Sequence, residues 1–109
     1  MMYEHPNLAD GNWNKIPFFE QMANIGSEVS RSINWKKKNK DYSNKAFERA
    51  LELLVLTIDD TKNRSRLKEL MRLKEVLADY FVFDNEYKSS DDLWQKYFYS
   101  FNYAARLNC

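Results

Sequence analysis

Glycine, proline, cysteine and histidine are nearly absent from this chain of 109 residues, which has two glycines, two prolines, one cysteine and one histidine. Each scarcity excludes something. A β-sandwich or barrel turns every 8–12 residues or so, usually at glycine or proline. Gly11, Gly26, Pro6 and Pro17 cannot mark that many turns. Phosphate-cradling loops need clustered glycines, and there is no cluster. Cys109 alone closes no internal disulfide and makes no Cys-x-x-Cys zinc pattern. His5 alone cannot supply the two Glu-x-x-His repeats of a di-iron bundle. No metal or other cofactor is therefore expected. Long apolar runs are missing too. The longest are four residues, as at Leu53–Leu56, far short of the roughly 18 residues of a membrane span. The opening MMYEHPNLADGNW lacks the apolar stretch of a secretory signal, so a soluble cytoplasmic chain is expected.

Catalytic patterns are equally thin. RNA-cleaving bundles of the HEPN superfamily place a histidine a few residues after an arginine. Here every arginine follows His5, so only a catalytically silent bundle of that kind fits. Glu48 and Glu52 lie one helical turn apart, and Glu69 lies near Arg66 and Arg72. Helix-surface glutamates among basic residues are ordinarily solubilising rather than acid–base pairs. The expectation is a protein that is not an enzyme.

What the chain does have is helical periodicity. Hydrophobic residues make up 44% and charged residues 30%, a globular balance. Residues 1–16 show no sustained period and read as an arm whose end is pinned by Trp13 and Ile16. Residues 17–109 read as one domain. Phe18, Met22, Ile25, Val29 and Ile33 recur at steps of three and four, predicting a helix over 17–38 with Pro17 at its first position. Trp35 falls off that stripe and belongs at an edge. Apolar residues cover much of a second helix over 43–59, which makes it the expected central one. A third helix runs over 64–83 on Leu67, Leu70, Leu73, Leu77, Tyr80 and Phe81, with Asn63 as its N-cap. A fourth begins near Ser90, a capping serine followed by Asp91 and Asp92 at the positive end of the helix dipole. Four helices joined by short breaks predict an all-α fold, an up-down-up-down antiparallel four-helix bundle.

Three groups are candidates for function. In 94–103, six of ten residues are aromatic, more than one bundle face can bury. Trp94, Tyr97, Tyr99 and Tyr103 are therefore candidates for a subunit or partner interface, with Tyr99 and Tyr103 on a second stripe away from the core. The loop Asp84, Asn85, Glu86 and Tyr87 offers oxygen ligands for a hard cation, or is simply a capped connection. Arg31, Lys36, Lys37, Lys38 and Lys40 form a basic end suited to RNA or an acidic partner. Charge is blocked along the chain: 31–49 carries seven basic and two acidic residues, and 75–92 six acidic and one basic. In the expected bundle the basic block 31–45 and the acidic block 79–92 share an end and compensate each other. The net charge of +1 exerts no general pull on nucleic acid.

The run Tyr42–Leu53 looks locally like the second helix of a tetratricopeptide repeat. Ala46 and Ala50 depart from it, four apart where the repeat has small residues seven apart, and no 34-residue period is present. A broader likeness rests on IGSEV at 25–29, KAFERALEL at 45–53, NRSRLKE at 63–69, DNEY at 84–87 and YFYSFNYAAR at 97–106. In these strings residues 24–107 resemble a family of small uncharacterised prokaryotic helical proteins. The resemblance implies one helical domain and carries no function. The leading expectation is a non-enzymatic interaction protein that self-associates through its last helix. The alternative is an RNA-associated bundle, accessory to a nucleotide-modifying or toxin–antitoxin enzyme.

Overall fold

The computed structural model describes residues 12–107. His5, Cys109 and the first part of the expected arm lie outside the described residues. Within them the chain is all-helical and has no strands, and four α-helices pack together. A short 3-10 helix, Trp13–Lys15, precedes α1 (Phe18–Trp35) and α2 (Lys40–Asp59). A second 3-10 helix, Thr61–Arg66, leads into α3 (Leu67–Phe81), and α4 is Asp91–Leu107.

The helix ends follow from their caps. α1 stops three residues before the expected Lys38, because Asn39 turns extended at φ −153°. Its side chain accepts hydrogen bonds from the amides of Asp41 (3.1 Å) and Tyr42 (3.2 Å). That cap starts α2 at Lys40 rather than Ser43. Ser43 is instead buried. The expected cap of the third helix is also corrected. Asn63 is buried inside the second 3-10 helix, which Asp60 caps by accepting from the Lys62 amide at 3.1 Å. Ser90 does cap α4, accepting from the Leu93 amide at 3.2 Å.

The predicted stripes form the core: Met22, Ile25 and Val29 of α1, Leu54 of α2, Leu70 and Leu77 of α3 are essentially inaccessible. Each such side chain contributes about 1.5–3 kcal/mol of transfer free energy. Trp13 is buried with them and its indole donates to Thr57 Oγ1 at 2.9 Å, so the N-terminal segment is pinned as expected. Trp35 is exposed at the edge, its ring edge-on to Tyr42. The second helix packs against both α1 and α3, and α1 shares the central position, packing closely along both α2 and α4.

Polar rungs join α1 to α2. Gln21 donates to Asp60 Oδ2 at 2.9 Å, and Glu28 takes an ion pair from Arg49 at 3.3 Å. Ser32 and Ser43 exchange hydrogen bonds with each other's backbone carbonyls at 2.9 and 2.7 Å. Buried polar groups of this kind are costly unless satisfied, so each rung also fixes which residues face each other.

Candidate interaction surfaces

The aromatic helix divides its rings between two environments. Trp94 and Phe98 point inward and stack at 6.1 Å. Tyr97 is half-buried, edge-on to Trp94, Phe98 and Phe101. Burial, with a smaller push from the Glu69 carboxylate, raises its phenol pKa to about 12. Tyr99 and Tyr103 stand on the outside, 65% and 56% exposed. Of the four aromatic candidates, then, two are structural and two are free to meet a partner.

The surface around those two tyrosines has a distinct composition. From Tyr97 through Ala105, α4 carries no charged residue. From Gln21 through Ser30, α1 carries only Glu28, buried against Arg31 (2.9 Å) and Arg49 (3.3 Å). The two helices meet closely where Gly26 faces Phe98. A Cβ on Gly26 would sit 2.7 Å from the Phe98 Cβ, so glycine is what allows this approach. Beside that contact runs a groove of about 340 Å³ lined by Ala23, Ser27, Ser30, Gln95, Tyr99 and Asn102, with Arg31 its one charged residue. Interfaces are depleted in charge and enriched in tyrosine relative to the rest of a protein surface. The α2 and α3 surfaces differ, exposing Lys40, Asp41, Lys45, Glu48, Lys68, Arg72 and Glu75.

The polar loop is a cross-braced connection. The buried Asp79 carboxylate accepts from the amides of Glu86 (2.9 Å) and Tyr87 (3.1 Å). Asn85 adopts a left-handed conformation at φ 55°, which its short polar side chain tolerates. It receives the Ser89 amide on Oδ1 at 2.8 Å and donates from Nδ2 to the Ser89 carbonyl at 3.0 Å. The Tyr87 hydroxyl donates to Glu75 Oε1 at 2.9 Å. Among the described residues no group of three or more histidine, cysteine, aspartate or glutamate side chains converges as a metal site would.

The basic end is partly compensated. Lys36 Nζ pairs with Asp91 at 3.0 Å, donates to the Tyr80 hydroxyl at 3.1 Å and lies 4.4 Å from the Tyr80 ring centre. Tyr80 in turn donates to Asp91. Burial opposes charge on both ions, yet these hydrogen bonds prevail. They hold the Lys36 pKa above, and the Asp91 pKa below, its ordinary value. Burial and the Asp91 hydrogen bond raise that of Tyr80. Arg31 is paired with Glu28. Lys37, Lys38 and Lys40 are exposed at this end.

Two features escaped the reading of the sequence. One is the buried polar cluster around Gln21, which also donates to the Trp13 carbonyl at 3.1 Å. Asn63 Nδ2 donates to Gln21 Oε1 (2.9 Å) and to the Thr57 carbonyl (3.0 Å), and Lys62 pairs with Asp60. A signal existed: Gln21, Glu28 and Ser32 are spaced by seven and four, placing them along one inward line of α1. The other is a cleft between α3 and α4, whose lining residues lie far apart in sequence. Comparison with known proteins finds no matching family model, no similar curated protein and no matching solved structure.

Proposed function

We propose that this chain is a non-enzymatic interaction protein, an up-down-up-down antiparallel bundle that self-associates through the face shared by α1 and α4. The carrying observation is the pair of exposed tyrosines, Tyr99 and Tyr103, on a stretch of α4 from Tyr97 through Ala105 that has no charged residue, in a chain of which 30% is charged. Two exposed tyrosines on such a face supply contact area at little cost in conformational entropy. The antiparallel arrangement is supported by the rungs: Gln21, early in α1, meets Asp60 just past α2, while Ser32, late in α1, meets Ser43 early in α2. Lys36 with Asp91 supports the same relation between α1 and α4.

The test is the double substitution Tyr99→Ser with Tyr103→Ser, followed by assembly state and thermal melting. Assembly weakens while the melting temperature holds, since both rings are exposed. Unchanged assembly in that variant removes the interface assignment. The alternative, an RNA-associated accessory bundle, draws on Lys37, Lys38 and Lys40, with Lys36 and Arg31 already in ion pairs. Retention on RNA at low salt that falls steeply with added salt supports it, and no retention removes it.

A further inference from the structure

The outer face of α4 carries a pattern of its own. Asp92, Tyr99 and Arg106 are spaced by seven residues. Gln95 and Lys96 stand between the first two, and Asn102 and Tyr103 between the last two. Residues at this spacing line one stripe of a helix, with the repeat of a two-helix seam. Each of them is exposed. Lys96 pairs with Asp92 through Oδ2 alone, at 3.1 Å, with both side chains largely in solvent. An exposed pair of this kind on one helix holds its partners weakly, so the carboxylate remains open to another cation. The stripe thus runs from a carboxylate near the start of α4, through tyrosine, to a guanidinium near its end.

Such a stripe is complementary to itself reversed. We propose that a second copy of this chain docks α4 on α4, antiparallel, about a two-fold axis at Tyr99. The proposal rests on the self-association argued above and adds its geometry. In that arrangement Asp92 meets Arg106 of the partner subunit, Gln95 meets Asn102 of the partner subunit, and Lys96 meets the partner subunit's Tyr103. The contact is isologous, so each pair occurs twice. A parallel pair in register instead sets Asp92 on Asp92, Lys96 on Lys96 and Arg106 on Arg106. An antiparallel pair slipped by one turn sets Lys96 against Arg106, or carries Arg106 past the start of α4 at Asp91. Antiparallel helices also bring each positive N-terminus beside a negative C-terminus. The tyrosines supply the contact area. The charged ends stay near solvent, so they set orientation and register more than strength.

The test is cross-linking of Asp92→Cys and Arg106→Cys chains, each in a Cys109→Ser background, by a short bismaleimide. The two variants are mixed while dilute and then concentrated, and sedimentation of the same samples reports assembly. Positions 92 and 106 adjoin across the seam, whereas each lies about 20 Å along it from its own copy. The expected result is a cross-linked dimer from the mixture and little from either variant alone. Cross-linking of each variant with itself means a parallel pair and overturns the proposal. An assembled mixture that gives no cross-link overturns this geometry and leaves the self-association standing. A wild-type chain monomeric at high concentration overturns both. A second measurement keeps native thiol chemistry out: Arg106→Glu sets a carboxylate against Asp92 and weakens the dimer by about threefold or more, and adding Asp92→Lys recovers most of the loss. A dimer indifferent to Arg106→Glu, or a loss that Asp92→Lys deepens, also overturns the proposal.

Discussion

At the scale of single residues, environment separates side chains that composition treats alike. Tyr97, Tyr99 and Tyr103 share one helix, yet the last two stand exposed while the first is half-buried, and burial lifts the Tyr97 phenol pKa to about 12. The folded state holds that proton more tightly than the unfolded chain, whose tyrosines ionise near about 10. Stability from this group is complete below about pH 10 and declines as pH rises toward 12. Urea melts at pH 8 and pH 11 check this: Tyr97→Phe removes part of the alkaline loss, and an identical loss in both proteins argues against it. Gly26 is a second case. Alanine would gain about 1 kcal/mol of helix propensity. It would also press its Cβ into the Phe98 Cβ at 2.7 Å, an atom tied to the backbone and unable to swing aside. Overpacking of that kind costs about 1–3 kcal/mol, so Gly26→Ala should lose about 1 kcal/mol net in a denaturant melt. A stabilised variant would show that α1 and α4 separate freely.

At the scale of elements, the four helices were legible because their apolar stripes are long and regular, and leucine-rich α3 is the clearest. The boundaries were less so. Asn39 and Asn63 are both good caps by residue type, but only Asn39 is placed to cap, and Asn63 is drawn inward by Gln21 and the Thr57 carbonyl. Such a choice is tertiary and leaves no local trace. The exposure of Tyr99 and Tyr103 followed from helical angle alone, whereas the α3–α4 cleft depends on how far two helices stand apart. The Gln21 cluster makes its own prediction. Gln21→Leu leaves Asn63 Nδ2 and Asp60 each short of a partner, at a cost of about 2–3 kcal/mol in unfolding free energy. Asp60 adds acid sensitivity. Burial alone would raise its pKa, but hydrogen bonds from Lys62 and Gln21 outweigh it and hold the carboxyl below its ordinary value. Its contribution is complete above about pH 4, the unfolded value, and is lost as pH falls through the lowered one. Asp60→Asn should therefore flatten the stability profile below about pH 4, read by thermal melts across that window.

At the scale of the whole molecule, charge is distributed unevenly around the bundle. Acidic and basic blocks distant in sequence meet as Lys36 with Asp91, while α2 and α3 keep a solvated charged surface. The α1–α4 face keeps fewer: Arg31 beside the groove, the exposed Lys96–Asp92 pair before Tyr99 and Arg106 after Tyr103. An interface built there owes little to ion pairs, so its strength should be nearly independent of ionic strength. Sedimentation velocity of the full chain at low and high salt, beside the Tyr99→Ser/Tyr103→Ser variant, tests this most directly. The account predicts a dimer or larger assembly that persists in high salt and dissociates in the variant. A wild-type chain that remains monomeric at high protein concentration in both salts would contradict it.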